Sequence, residues 1–311
     1  MKLKKDGLIR DLQKNHTMWL MLAPIIIFFF MFSYIPMVGI YYAFTHFNFR
    51  GGLFGSPFAG LDNFKFLFKG GSTAVIWTLT KNTAIYNIAF ILIGNSLQII
   101  TAIILSELPG KFYKKTSQSL MFLPYFISYV IVGVFVYNIF NYEFGLANNL
   151  LKGFGKAPFN FYDAPGAWKY IIVASNLWKN IGYGTVIYLA AVTSIDRSIY
   201  EAADIDGANI FQRIWRITLP LLKPTFVLLL LFSLGSILKG QFDLFYQIIG
   251  RNGNLYGATD IIDTYVYRAL TVNFDVGLGT AAGLYQSFFG MMLVLTVNFI
   301  IRKVNDDYAL F

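Results

Sequence analysis

From Met18 to Phe44 the chain carries no charged residue. A stretch of that length exceeds the roughly 20 residues that an α-helix needs to cross a bilayer. Comparable apolar stretches recur at about Thr83–Ser106, Gln118–Phe140, Lys169–Ile195, Leu221–Ile249 and Thr280–Ile301. Hydrocarbon offers the backbone no hydrogen-bond partner, so each stretch must supply its own, and helix does this within one segment. The expectation is an all-α integral membrane protein with six transmembrane helices. Composition agrees: 13% of residues are charged and 56% hydrophobic, whereas soluble domains carry about 25% charged residues. There is no cysteine and there are only two histidines, His16 and His46. Disulfide and thiol chemistry are therefore excluded, and a His-based metal cluster within one chain is disfavoured.

The formal charge of +9 does not point to nucleic acid, because the basic residues sit at the ends of apolar stretches. Residues 1–17 hold Lys2, Lys4, Lys5, Arg10 and Lys14, with Leu3, Leu8, Ile9 and Leu12 spaced for an amphipathic surface helix. A disordered basic tail is the other reading of that segment. Met18–Phe44 is too long for a signal-peptide core and is kept as a first span, bent or ended near Pro24 and Pro36. The third span should bend near Pro124. Residues 141–168 and 251–279 read as exposed polar loops. Lys and Arg concentrate in 1–17, 107–117, 196–223 and 302–311, and the positive-inside rule puts these segments and both termini in the cytoplasm.

Between the fourth and fifth spans lies Glu201–Pro220, EAADIDGANIFQRIWRITLP, with Asp204, Asp206, Arg213 and Arg216 inside it. Glu201, Ala202 and Ala203 favour helix, and Asp206-Gly207 interrupts it with a turn signal. Ile210, Ile214 and Ile217 then recur at helical spacing beside Phe211 and Trp215. The expectation is a short helix, a bend, a second short amphipathic helix, and Pro220 ahead of the next span. A polar segment so patterned docks on a soluble partner. Small Ala202, Ala203, Gly207 and Ala208 permit close approach, Glu201 can cap helix or pair with a basic groove, and Asp206 can fix the turn.

The spacing E-A-A, three residues, G, nine residues, I-x-L-P is met at Glu201, Ala202, Ala203, Gly207, Ile217, Leu219 and Pro220. It resembles the coupling-loop signature of permease subunits of binding-protein-dependent ABC importers. Gly60-Leu61-Asp62-Asn63-Phe64 also resembles sugar-importer permeases. The stretches YIPMVGIYYAF at 34–44 and FGSPFAGLDNF at 54–64 look like permeases of polysaccharide-fragment importers of Gram-positive bacteria. The resemblance implies the type I importer permease fold, with a segment at 1–17 and a six-span domain at 18–311 whose coupling loop is 196–223. It implies a bacterial cell-membrane location. It also implies three kinds of partner: a second homologous permease, two ATPase subunits that bind ATP and Mg, and an extracellular solute-binding protein. Coupling to the ATPase would fall to Glu201, Ala202, Ala203, Asp206, Gly207, Ala208, Leu219 and Pro220.

No G-x-x-x-x-G-K-[ST] occurs, so this chain has no phosphate loop of that kind, and no cofactor is expected in it. No Ser/His/Asp set or carboxylate pair lies within a span, so no catalytic residue is assigned. Trp178, Lys179, Asn180 and Tyr183 lie in the fourth stretch, and Ser236, Lys239 and Gln241 in the fifth. Aromatic faces beside hydrogen-bonding side chains suit sugars, and related permeases place substrate contacts in these two spans. The expected cargo is an oligosaccharide. Lys179 stands about nine residues into its span, roughly 14 Å deep, where insertion of Lys costs roughly 2.5–3.5 kcal/mol. Two readings of the lysines stand. In one, Lys179 and Lys239 bind the carboxylates of a uronate-bearing sugar. In the other, Lys239 pairs with Asp243 and Lys179 snorkels or binds a helix-end carbonyl. A neutral sugar or other small solute, a channel and a membrane-embedded enzyme are the alternatives.

Overall fold

The computed structural model describes residues 14–71 and 74–304, and every regular element among them is helical. The expected surface helix at 1–17 falls almost wholly outside the described residues. In chain order the principal helices are α1 (His16–Phe44), α2 (Asp62–Phe68), α3 (Val75–Glu107), α4 (Lys111–Phe122) and α5 (Tyr129–Phe140). They continue with α6 (Leu146–Gly153), α7 (Pro165–Thr193), α8 (Arg197–Ile205), α9 (Ile210–Gly235), α10 (Phe242–Ile249), α11 (Ile262–Thr271) and α12 (Val276–Lys303).

Four helices are long and apolar enough to cross a membrane: α1, α3, α9 and α12. A fifth crossing is counted if Lys111–Phe126 and Tyr129–Phe140, bent by 94° at their junction, form one broken span. Six apolar crossings are thus not what the helices present. The missing one is α7, 29 residues long but diluted by Asn176, Lys179, Asn180 and Tyr183. Its polarity is tolerated because α7 packs along α3 at the centre of the molecule and buries Asn176, Lys179 and Thr185.

Helix α1 is the opposite case. Not one residue of its most apolar window is buried, and only its last part, from Ile35, packs against α12. Pro24 lies within regular helix, and Phe30–Tyr34 widens to a π turn ahead of Pro36. The prolines are therefore accommodated in one continuous helix rather than ending it.

Two expected spans are interrupted. The third breaks at Ile127 and Ser128, just past the expected bend at Pro124, and Ser128 caps α5 by accepting from the Ile131 N–H. The fifth does not continue to Ile249: α9 stops at Gly235, residues 236–240 turn, and α10 packs back against α5. A helix broken at membrane depth leaves carbonyls that need donors. Asn87 of α3 donates to the Ile237 and Lys239 carbonyls at 2.9 and 3.3 Å, and Gln286 of α12 donates to Leu238 at 2.6 Å. Asp263 accepts from the Gly240 N–H at 2.6 Å.

The segments expected as exposed loops are folded. Trp168 is fully buried and its indole N–H donates to the Phe161 carbonyl at 2.7 Å. Asn148 is buried and holds the 141–159 turn from both ends through Tyr142 and Phe159. In 251–279 the Arg268 guanidinium forks onto both oxygens of the buried Asp260 carboxylate. The two parallel hydrogen bonds satisfy both oxygens of a carboxylate that water does not reach.

Candidate functional site

Two regions carry the residues singled out by the sequence. The first is the segment between α7 and α9. Asp196 begins α8 by accepting from the Ser198 N–H at 3.0 Å, and that hydrogen bond holds its carboxyl below the usual range. Glu201 and Ala202 are exposed on α8, and Glu201 has no ion pair among the described residues. The helix ends in a Schellman motif. Ala208 N–H donates to Ala203 O at 2.9 Å, Gly207 N–H to Asp204 O at 3.1 Å, and Gly207 takes φ +74°. A Cβ at Gly207 would touch nothing within 4 Å, so glycine is required there by backbone conformation, not by crowding.

Asn209 then opens the next helix with a capping box: its side chain accepts from Gln212 N–H, and the Gln212 side chain accepts from Asn209 N–H. The second amphipathic helix is not separate from the following span. Ile210–Gly235 is one helix, with Ile214–Thr218 in a π turn, Pro220 in the first turn beyond it and Leu219 half-buried. The π turn closes with the Leu219 N–H on the Ile214 carbonyl, directly before the proline that can donate no helix bond. Three contacts join α8 to the start of α9 and the pair of them to α3. Tyr200 Oη meets Thr218 Oγ1 at 2.9 Å, Arg213 donates to Asp204 at 2.6 Å, and Arg213 Nη2 lies 3.9 Å from Glu107 at the end of α3. Outward it presents Ile205, Phe211 and Trp215, exposed by 87, 71 and 70%. Exposed large apolar side chains on an otherwise polar surface are a common feature of interaction sites.

The second region is a cavity of about 250 Å³ between α3, α7 and α9. Helix α3 contributes Asn87, Asn95 and Gln98, α7 contributes Asn176, Asn180 and Tyr183, and Ser233, Ser236 and Gln241 complete the lining. Asn176 donates to Gln241 Oε1, which also accepts from Tyr129 at 3.4 Å. Amides, hydroxyls and the rings of Phe90 and Tyr183 are what the hydroxyl edges and CH faces of a sugar require, with Ile91, Ile187 and Leu229 as the apolar part of the wall. Of the expected contacts, Asn180, Tyr183, Ser236 and Gln241 come together here.

Trp178 and Lys179 do not. Residues 176, 180 and 183 share one face of α7 at helical spacing, and 178 and 179 point elsewhere. Trp178 lines an apolar groove of about 610 Å³ with Phe135 and Ile139. Lys179 is buried, and its Nζ donates to the carbonyls of Pro124 (3.4 Å), Tyr125 (2.9 Å) and Ile127, 4.8 Å from the centre of the Tyr129 ring. It supplies the donors that the break in the third span lacks. Lys239 is exposed beyond the cavity, with no ion pair to Asp243 among the described residues. Asn87, Asn95, Gln98 and Asn176 were not singled out by the sequence. Their signal was available, since amides inside an apolar span are costly and mark function or helix pairing.

Comparisons with known proteins agree with this geometry. Residues 98–306 match the family described as binding-protein-dependent transport system inner membrane component. The polygalacturonan/rhamnogalacturonan transport system permease protein YteP of Bacillus subtilis is 32% identical over 306 residues, 98% of this chain and 94% of its own. The trehalose/maltose transport system permease protein MalF of Thermococcus litoralis is 29% identical over 92% of each chain. Among solved structures, a bacterial ABC transporter involved in import of the acidic polysaccharide alginate superposes with TM-score 0.85 at 33% identity, covering 96% of this chain and 99% of that one. The fold is thus shared with the alginate importer chain over nearly the whole length, and the chain belongs to the binding-protein-dependent transport system inner membrane component family.

Proposed function

We propose that this chain forms half of the translocation pathway of an ATP-driven importer for an acidic oligosaccharide. The cavity between α3, α7 and α9 carries the reading. It gathers amides and hydroxyls between apolar walls, lies beside the break that follows α9, and is connected to the exposed knob through α7 and α9. Relatives named for polygalacturonan/rhamnogalacturonan, and a structural neighbour that imports alginate, favour a uronate-bearing cargo. In this chain neutral amide donors from Asn180 and Gln241, with Tyr183 and Ser236, would hold the sugar, and Lys239 would attract it at the rim. Lys179 is already committed to three carbonyls and takes no direct part. The family is one of transport components, so the enzyme alternative falls away.

The knob would couple to a separate ATPase that holds ATP and Mg, with Glu201, Ala202, Ala203, Asp206, Gly207 and Ala208 on the docking side and Leu219-Pro220 at the start of the span. An ATPase that closes outside the membrane can move spans only through a rigid element attached to them. A second permease would cover the unburied α1, and an extracellular binding protein would deliver the cargo. A homologous alginate transporter was solved with a pentasaccharide-bound periplasmic protein. Both termini and the knob would then be cytoplasmic, in a bacterial cell membrane, with α7 counted as a crossing. The experiment is ATP-dependent uptake by the reconstituted importer, comparing uronate and neutral oligosaccharides of equal length. Preference for the uronate is expected, and preference for the neutral sugar would overturn the assignment of cargo.

A further inference from the structure

A second cavity, of about 230 Å³, opens at the end of the molecule that carries the knob. Glu107 of α3, Lys114 of α4, Thr193 of α7, Arg197 and Tyr200 of α8, and Arg213 of α9 all line it. Three cations therefore face one carboxylate. Their bonding is incomplete. Lys114 reaches only the Ser106 carbonyl, at 3.4 Å. Arg197 forms no ion pair among the described residues. Arg213 uses Nη1 on Asp204 and holds Nη2 3.9 Å from Glu107, but its buried Nε has no hydrogen-bond partner among the described residues. That Nε is sealed from the cavity, but Lys114 and Arg197 open onto it without a carboxylate partner among the described residues, and an anion there would meet both.

We infer that this cavity binds a phosphate group, as a phosphomonoester or a phospholipid headgroup. The cations stand on three different helices, so their ligand must present oxygens in several directions. A tetrahedral phosphate does this, whereas a carboxylate presents two oxygens in one plane. Its negative charge complements Lys114 and Arg197, the two lining cations with no ion pair among the described residues, and guanidinium groups suit phosphate oxygens in particular. Bound there, it would tie the end of α3 and the start of α4 to the knob. The consequence for coupling rests on the proposed function, but the site itself does not.

The test is equilibrium dialysis of radiolabelled methyl phosphate against the assembled importer in phosphatidylcholine vesicles. The double variant Lys114→Gln/Arg197→Gln should bind about tenfold more weakly, the loss expected of charge-assisted hydrogen bonds. Arg197 is exposed, and Lys114 is half-buried with one long bond to a carbonyl, so the variant should fold. Glu107→Gln should bind more tightly than the parent, because it removes the only repelling carboxylate in the lining. A second arm replaces part of the phosphatidylcholine with phosphatidic acid. Displacement of methyl phosphate there, or retention of phosphatidic acid by the parent and not the double variant, identifies a lipid headgroup. Binding left unchanged by phosphatidic acid identifies a soluble phosphomonoester. Equal binding by parent and double variant places the anion on the ATPase and overturns the site, as does the absence of both ligands. No step depends on transport, so an error about the cargo would leave the result intact.

Discussion

Lys179 Nζ donates to the Tyr125 carbonyl at 2.9 Å, across the gap between α7 and the break in the third span. With Pro124 and Ile127 as its other acceptors, one ammonium group replaces the helix hydrogen bonds that the break removes. Lys179→Met would take this donor from the Tyr125 and Ile127 carbonyls, at about 1–3 kcal/mol for each one left unpaired, while Pro124 keeps the Ile127 N–H at 3.1 Å. The expected outcome is a lower unfolding temperature of the solubilised importer, with uptake of uronate and neutral oligosaccharides falling together. A selective loss of uronate uptake at unchanged stability would return Lys179 to the substrate site.

Substrate contact is expected from the amide face of α7. Asn180→Leu, or Ser236→Ala, should raise KM for uptake by about fivefold, the value of one hydrogen bond near 1 kcal/mol. Trp178→Ala faces the apolar groove and should leave KM unaltered. Initial uptake rates over a range of oligosaccharide concentrations decide this. A KM effect at Trp178 and none at Asn180 would move the pathway to the other side of α7.

Gly207 stands at φ +74° with open space where a Cβ would go. Gly207→Ala therefore carries only the left-handed backbone cost, about 1–2 kcal/mol, and Gly207→Asn should carry less, because Asn visits that region more readily. ATPase stimulation by loaded binding protein should rank glycine, then asparagine, then alanine, with phenylalanine lowest because its bulk also blocks docking. If phenylalanine were as active as glycine, the turn would not be at the docking face.

Tyr200→Phe deletes the hydroxyl that joins α8 to Thr218. The bond is worth about 1 kcal/mol, too little to unfold the chain, but it lies between the knob and the span that the knob would move. Sugar transported per ATP hydrolysed should fall while basal hydrolysis persists. Measuring both in the same vesicles separates coupling from catalysis, and an unchanged ratio would show that the other two contacts suffice.

Much of this protein was legible in its sequence. Long uncharged stretches dictate helix because hydrocarbon leaves the backbone no other partner. The Glu201–Pro220 pattern is local chemistry as well: helix formers, a glycine that takes φ +74° without strain, then an Asn209–Gln212 box. Each element is specified by residues within a turn of one another, so reading along the chain suffices. What the sequence could not decide was the partner of each polar group inside the bundle. Lys179 and Asn180 are neighbours in the chain, but one feeds carbonyls more than fifty residues earlier and the other lines a cavity. That divergence depends on which way α7 is turned, and on where the third and fifth spans break. Those breaks survive only because Lys179, Asn87 and Gln286 arrive from other helices to satisfy the freed carbonyls. A donor that comes from a distant helix leaves no periodicity in the chain, so only the tertiary structure could assign it.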